Sequence, residues 1–313
     1  MLINHSLKLT LLTGLLLAGC HDANVPAMQA TQLGGQTVSA DRLERGRVVY
    51  VQYCRACHGD SGKGDGPASV GLRPPPRDLT RGVFKFGGTL PRDGAPTLPR
   101  DEDLTRIIRG GLHGSAMLGW DVPDPALQDL IQYLKTLSPR WQQEGPGEPL
   151  VPSVDPFATR DAEGVELGRA LYHGLAQCSA CHPAYASKAD INRMVQKLQP
   201  GAPPPTFRAD LYAPSPTDSI ELSLDKEHPL RLMPPDFLHQ DLKSVRASSE
   251  RADLYRVISL GIPGAGMPPW RDTLSEEQIW ALAHYVASLQ ALRGQPGAAA
   301  LEERISEENA KGR

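Results

Sequence analysis

Aromatic side chains are scarce in this chain and make up only 5% of its 313 residues. Proline is abundant instead, at 29 positions, which is about 9% of the chain against an average near 5%. Such a composition indicates many turns and little aromatic material to fill a protein core. We therefore expect two or three modest domains, at about 100 to 200 residues each, with a non-protein group in the core.

The chain also lacks any run of like charges. Its formal net charge is −3, and no cluster of lysine and arginine could neutralise successive phosphates, so a nucleic-acid partner is not expected. The charges are nevertheless divided unevenly. Residues 41–142 hold 15 basic and 12 acidic residues, whereas residues 161–292 hold 12 and 16. The two halves thus carry opposite net charge, which favours partners of opposite charge.

Long hydrophobic runs are missing as well. The apolar stretch from Leu9 to Leu17 is too short to cross a bilayer about 30 Å thick as a helix. It follows Lys8 and precedes small residues, which is the order of an export signal.

The apolar stretch ends in Leu-Ala-Gly-Cys, and this tetrapeptide resembles the bacterial lipobox, whose cysteine is acylated. We predict a lipoprotein signal peptide at residues 1–19, lipidation of Cys20 and a flexible tether at residues 20–40. The alternative is an ordinary signal peptide with a chance cysteine. The first interpretation predicts a periplasmic protein anchored to a membrane, and His21, in place of aspartate, slightly favours the outer membrane.

The other four cysteines form two identical C-x-x-C-H motifs, Cys54–His58 and Cys178–His182. This is the attachment signature of haem c. Two thiols three residues apart meet the two vinyl groups of one porphyrin, and the next histidine is placed under the iron. The pattern predicts two haem c groups, bound through Cys54, Cys57, Cys178 and Cys181, with His58 and His182 as iron ligands.

Three other uses of these cysteines compete with haem attachment. A thioredoxin-like dithiol does not require the histidine and would lie in a βαβ context. A zinc site could use the same residue types, but two motifs more than a hundred residues apart fit two separate sites better. Disulfides between cysteines so close together would close only tiny loops.

The chain contains an internal repeat that points to further residues. Before each motif, glycine and tyrosine stand four residues apart on a predicted helix, as Gly46 with Tyr50 and Gly168 with Tyr172. A repeated glycine inside a helix indicates close approach of another helix. The expected partners are the final helices of each half, which have apolar residues at helical spacing and carry Tyr133 and Tyr285.

The repeat continues after each motif. Residues 103–120 and 253–270 align at constant offset with eight identities, among them a methionine in a loop rich in glycine. Because a thioether is a known sixth ligand of haem iron, Met117 and Met267 are predicted ligands. They could instead only pack on the haem, and Met233 and His113 are the nearest rivals.

These features together resemble tandem class I cytochrome c domains in a di-haem lipoprotein. The resemblance covers residues 41–292 and implies a mainly α fold, with two cytochrome c-like helical domains each wrapped around one covalently attached haem. It pairs His58 with Met117 and His182 with Met267. It also implies that the Pro67 carbonyl accepts the His58 ring proton, whereas the group that orients His182 is unassigned.

Other residues are predicted to lie around the haems. Arg106 and Arg256 could bind haem propionates, although both could equally lie on solvated helix faces. Trp120 and Trp270 belong to the same repeated segment and are expected in the haem environment.

The predicted domains are 41–142 and 161–292, joined by a proline-rich linker at 143–160. The second domain carries an insertion at about 183–235, and residues 293–313 are expected to be a frayed tail. In each half, a Pro-rich segment that ends in aspartate follows the motif histidine. Asp78 follows His58 by 20 residues, whereas Asp236 follows His182 by 54, so the second half has the longer intervening chain. The insertion could shield the haem, carry a docking surface or be a surface loop.

A haem with both axial positions filled by protein side chains has no open site for a substrate, which leaves one-electron transfer. The sequence therefore predicts no catalytic residues and an electron carrier between a donor and an acceptor protein, such as a membrane respiratory complex or a periplasmic dehydrogenase. One alternative is a di-haem enzyme, either a peroxidase or an oxidoreductase of small sulfur compounds, with one labile ligand. Another is the cytochrome subunit of a larger dehydrogenase or reductase complex.

Overall fold

A computed structural model describes residues 26–219, 230–247 and 250–311. The predicted signal peptide at residues 1–19 and the predicted lipidation site Cys20 lie outside the described residues. The described chain is mainly helical, as the resemblance predicts, and its helical residues fall in two similar halves. The helices are α1 (Ala40–Tyr53), α2 (Arg55–His58), α3 (Asp101–Gly110), α4 (Asp124–Thr136), α5 (Arg140–Gln143), α6 (Asp161–Gly174), α7 (Lys188–Leu198), α8 (Glu250–Leu260), α9 (Glu276–Leu292) and α10 (Pro296–Lys311). The strands are β1 (Thr31–Leu33), β2 (Gln36–Val38), β3 (Thr217–Ser219) and β4 (Leu230–Leu232).

Each half is built on one crossing of two helices, α1 with α4 and α6 with α9. At the first crossing, a Cβ added to Gly46 would lie 2.1 Å from the carbonyl oxygen of Asp129. At the second crossing, a Cβ added to Gly168 would lie 2.0 Å from the carbonyl oxygen of Ala281. No side chain fits at either position, so the predicted close approach at the repeated glycines is confirmed.

The tyrosine four residues after each glycine ties the crossing to the attachment motif. The Tyr50 hydroxyl donates to the Gly59 carbonyl at 2.6 Å, and the Tyr172 hydroxyl donates to the Pro183 carbonyl at 2.8 Å. Their rings lie 5.2 Å from Tyr133 and 5.5 Å from Tyr285, respectively. The predicted packing tyrosines of the final helices are therefore in place, and each motif is held against its helix crossing.

The predicted flexible tether is wrong for its last ten residues. β1 and β2 pair antiparallel around a turn at Gly34 and Gly35, both at positive φ, and this hairpin is part of the first half. Leu33 and Val38 are buried, and the Gly34 amide donates to the Trp141 carbonyl at 2.6 Å. Polar composition concealed the segment because only two apolar side chains anchor it.

The predicted frayed tail is also wrong. α10 packs on α7 and α9, and it buries Ala298 and Ile305. The Asn309 side chain accepts from the Lys188 amide at 3.0 Å and donates to the Tyr212 hydroxyl at 2.7 Å. The helix thus closes over the insertion of the second half, and tertiary contacts order a segment that shows little apolar periodicity.

The described residues of the insertion contribute α7, the antiparallel pair of β3 and β4, and a small separate core. The Ser187 side chain caps α7 by accepting from the Asp190 amide. The core around Ile191, Val195 and Leu211 lies between α7 and α6. The described residues of the insertion are therefore a folded part of the second half.

The proline-rich linker is fixed to both halves. The Gly147 amide donates to Leu98 O and the Leu150 amide to Gly88 O, each at 2.9 Å. Further along, Asp155 lies 2.9 Å from Nε2 of the fully buried His284, whose Nδ1 lies 2.6 Å from Asp161. The linker thus has hydrogen bonds to each half in turn.

Among the described residues, none of the helices combines the length and the apolar character needed to span a membrane.

We expect Gly168→Ala to lower the free energy of unfolding by about 1 to 3 kcal/mol, because the added Cβ would overlap the α9 backbone. Alanine is the better helix former, so a loss of stability reports the contact itself. Urea unfolding of the holoprotein measures it. Gly145→Ala is the control, because its Cβ would meet its nearest neighbour only at 3.7 Å. Equal stability of Gly168→Ala and the wild type would contradict the close crossing.

Candidate functional site

Each C-x-x-C-H motif forms one tight turn at the end of the first helix of its half. The His58 amide donates to Cys54 O, and the His182 amide donates to Cys178 O, both at 2.9 Å. The first turn is α2, and the second is a 3-10 turn at Cys178–Ala180. Residues four apart on a turn lie on one side, so thiols and imidazole are available to the same ligand.

The thiols have the character of attachment sites rather than of a redox dithiol. All four cysteines of the two motifs are free and partly buried, and Cys54 and Cys178 pack against the two main cores. Burial raises the pKa of the Cys54 thiol, and that of the Cys178 thiol, to about 12. A reactive dithiol needs a lowered thiol pKa. Within the described residues, no three His, Cys, Asp or Glu side chains converge as a metal site would require.

Both histidines are oriented by a backbone carbonyl. Nδ1 of His58 lies 3.1 Å from Arg77 O, and Nδ1 of His182 lies 3.0 Å from Pro235 O. A carbonyl only accepts, so Nδ1 carries the proton and Nε2 keeps its lone pair for a metal. Burial lowers the pKa of both imidazoles, which favours the neutral, ligating form. The predicted acceptor for His58, the Pro67 carbonyl, is therefore wrong.

The two acceptor carbonyls occupy equivalent places, because each stands immediately before an aspartate that begins a turn. Asp78 accepts from the Thr80 amide at 3.0 Å, and Asp236 accepts from the Leu238 amide at 3.0 Å. The insertion lengthens the chain between His182 and Asp236 without changing this arrangement. The sequence signal for the acceptor carbonyls was the repeated Pro-rich segment that ends in aspartate. In both halves the carbonyl that accepts from the histidine lies in that segment, whereas Pro67 lies outside it.

The second half adds a tyrosine that sequence reasoning missed. The Tyr185 hydroxyl donates to Asp236 at 3.1 Å and accepts from the Phe237 amide at 2.7 Å. The Phe237 ring in turn stacks on the His182 imidazole, with centroids 4.8 Å apart. Tyr185 thus holds the segment that orients His182. Nothing in its local sequence marks it, because the contact spans about fifty residues.

The methionine loops have the same turn in both halves. The Leu112 amide donates to Met117 O at 2.8 Å, and the Ile262 amide donates to Met267 O at 3.0 Å. Gly261 has φ of 64°, and a Cβ there would lie 2.5 Å from Met267 O. The repeated glycine is therefore required by the turn, and equal turns place the two methionines equivalently.

The two methionines and their rivals differ in surroundings. Met117 and Met267 are half-buried, and Met267 packs against the core of the second half. Met233 is 57% exposed, and the exposed His113 uses its amide to donate to Lys243 O at 3.1 Å.

The remaining residues of the repeat lie on the same loops and on the helices before them. Arg106 pairs with Asp103 at 2.9 Å and Arg256 with Asp253 at 3.1 Å. Trp120 is 39% exposed and makes an edge contact with Tyr53, whereas Trp270 is half-buried against the second core. Their contact with haem stays a prediction.

The residues present therefore fit haem c. In each half, two thiols and an imidazole lie on the same turn, and the imidazole is neutral with Nε2 available. A methionine loop of the same geometry also occurs in each half. When bound, haem supplies reversible one-electron chemistry at its iron. The chain would supply covalent attachment, orientation of the imidazole and enclosure.

Comparison with known proteins places both halves in one family. The model described as cytochrome C oxidase, cbb3-type, subunit III matches residues 41–134 and 163–286. These ranges contain both attachment motifs and both methionine loops, and they exclude α10. A chain of the reducing HAO-like protein complex of Kuenenia stuttgartiensis is similar in structure, with a TM-score of 0.60 and 26% identity over 79% of this chain and 96% of that chain. No curated protein matches.

We expect Tyr185→Phe to raise the reduction potential of a haem attached at Cys178 and Cys181. Loss of the hydroxyl frees the segment that holds Pro235 O against His182, and a weaker carbonyl contact makes the imidazole a poorer donor to iron. Spectroelectrochemical titration measures this. Tyr133→Phe, which removes a hydroxyl from α4 in the first half, is the control. An unchanged potential in Tyr185→Phe would contradict the positioning role.

Proposed function

The chain belongs to the cbb3-type cytochrome c oxidase subunit III family, and on that premise we propose that it is a di-haem cytochrome c that carries single electrons between redox proteins from a lipid anchor. Family membership makes it a haem-binding electron-transfer protein. The number of haems, the methionine ligands and the anchor are the proposal.

One observation carries the proposal: the two halves present the same set of groups. Each has a carbonyl-anchored histidine and a methionine in an identical glycine-dependent turn. A haem ligated by histidine and methionine has no open iron position, and methionine ligation raises its potential. Such a centre exchanges electrons without binding a substrate at iron.

The lipid anchor rests on the sequence Leu17–Cys20 alone. Acylation of Cys20 would hold the chain at a periplasmic membrane surface, with residues 21–30 between the lipid and the first hairpin. A tethered carrier meets membrane-bound partners at high effective concentration.

A second candidate function is that of an electron-transfer subunit in a larger complex. The similar solved structure belongs to a complex, the reducing HAO-like protein complex, and the likeness covers most of this chain. The same haems would serve either role. Affinity purification of the chain from its native membrane distinguishes the two, since a subunit comes down with stoichiometric redox proteins and a free carrier does not.

We expect Met117→Ala and Met267→Ala each to remove about half of the methionine-to-iron charge-transfer absorbance while leaving two haems per chain. The pyridine haemochrome assay counts the haems. Met233→Ala is the matched control, because its side chain is exposed and outside the repeated loop. A wild-type absorption spectrum that does not change when peroxide is added would support the electron carrier, because an iron with both axial positions filled has no site for peroxide.

The opposite results would overturn the proposal. A high-spin haem in the wild type, or a charge-transfer band that survives both loop variants, would mean that iron is not held by these methionines. The di-haem enzyme would then become the better interpretation.

We expect Cys20→Ser to abolish the incorporation of fatty acid into the chain with its haems retained. In the lipobox that residues 17–20 resemble, the cysteine receives the lipid, so the substitution removes the acylation site. Metabolic labelling with palmitate, followed by haem staining, measures the change. A Cys20→Ser chain that still incorporates palmitate would contradict lipidation at this residue.

A further inference from the structure

A cavity of about 480 Å³ lies between the two halves of the molecule. The first half lines it with the segment from Phe84 to Thr97 and with Arg106. The second half lines it with α8 residues and the loop of Met267. The halves also touch beside it, where the His113 amide donates to Lys243 O at 3.1 Å.

Cations line this cavity from both sides, and Asp93, Asp253 and Asp272 line it with them. Arg106 and Arg256 are each paired with an aspartate three residues earlier, and Arg271 lies 3.7 Å from Asp272. Lys85 differs from them. Within the described part of the chain it has no ion pair with a carboxylate, and Asp93, which also lines the cavity, is exposed.

Lys85 is held among like charges. It is partly buried, and its charged neighbours Arg77 and Lys243 are both cations. Burial, with the repulsion of these two, lowers the pKa of the Lys85 ammonium to about 8. A partly buried ammonium beside two other cations is costly unless an anion joins it. The cluster is thus built to take negative charge.

The position of the cluster indicates which anion it takes. Arg77 also provides the carbonyl that orients His58, so the cluster adjoins the site of the first half. Met267, from the site of the second half, lines the same cavity. The cavity is therefore lined by one residue of the second site, Met267, and it adjoins the first site through Lys85 and its neighbour Arg77. The anionic groups that a haem brings are its propionate carboxylates.

We propose that this cavity is a carboxylate-binding cleft in which Lys85 binds haem propionates at the boundary of the two halves, so that both haem edges meet there. This inference rests on the proposed function, because it requires a haem in each half. The attraction between the Lys85 ammonium and the propionates would hold the two halves together at the cleft. It would also place the two one-electron centres next to each other. A free anion such as phosphate has the same chemistry, so the experiment separates the two sources.

The test compares the full-length holoprotein with Lys85→Met and Lys85→Arg. Lys197→Met, which removes the same charge from an exposed position on α7, is the control. We expect Lys85→Met to lower the midpoint potential of a haem, because loss of a cation disfavours the added electron. The redox-induced infrared difference bands of the haem carboxylates should shift in the same variant. Lys85→Arg should restore both signals, and Lys197→Met should move neither.

Three outcomes would overturn the inference. Unchanged potential and carboxylate bands in Lys85→Met would show that Lys85 does not touch the propionates. A wild-type potential that depends on phosphate, with the dependence lost in Lys85→Met, would assign the cleft to a free anion. The charged groups that face Lys85 are Arg77 and Lys243, and Asp93 lines the same cavity. A haem potential that falls as the pH rises through about 8, in the wild type but not in Lys85→Met, would show that the Lys85 ammonium has no carboxylate partner.

The same samples keep the two proposals apart. Haem counts and the methionine-to-iron band are recorded for each variant. If two haems ligated by histidine and methionine are present and Lys85→Met has no effect, the cleft inference fails and the carrier proposal stands. If a haem is missing from the wild type, the carrier proposal fails first.

Discussion

The contact between two helices at a single glycine is the constraint on which each half of this molecule depends. At Gly46 and at Gly168 the backbone of the partner helix lies where a side chain would otherwise be. This close crossing fixes the start of the half against its end. The attachment motif follows the first helix, so the crossing also determines where the motif lies. The tyrosine hydroxyls that reach Gly59 and Pro183 then tie the motif to the crossing.

The second layer of organisation is the control of the imidazole. The Nδ1–H group of each histidine donates a hydrogen bond to a backbone carbonyl of a distant segment. Each of these segments is held by an aspartate that begins a turn. In the second half, Tyr185 and Phe237 add a hydrogen bond and a stacked ring to that segment. The two sites thus share one plan but differ in how firmly the imidazole is supported. Such a difference tunes a metal centre through its ligand.

The halves differ more in what surrounds them than in their sites. The first half is extended by an amino-terminal hairpin, and the second carries an insertion that α10 covers. The linker hydrogen-bonds to both, and a cation-lined cavity remains between them. Opposite net charges of the halves therefore coexist with a cluster of three cations, Lys85, Arg77 and Lys243, at their boundary. Averages over a domain conceal such a cluster.

Much of the fold and of the site was readable from sequence, because the informative contacts are local or repeated. The spacing in C-x-x-C-H is that of one helical turn, and comparison of the two halves singled out Gly46, Gly168 and the methionine loops. Chain length between motifs did not reveal which carbonyl meets His58 or His182, since Arg77 and Pro235 reach them across long loops. Polarity likewise hid the hairpin, which two buried side chains hold.

By itself the sequence determined the repeated architecture, the attachment turns and the helix crossing, each of which depends on residues at fixed short spacing. Only the tertiary structure decided the partner of each imidazole, the order in α10 and the environment of Lys85. These depend on segments far apart in the chain that meet after folding. A hydrogen-bond acceptor or a cluster of charges is defined by such meetings, and no local pattern records them.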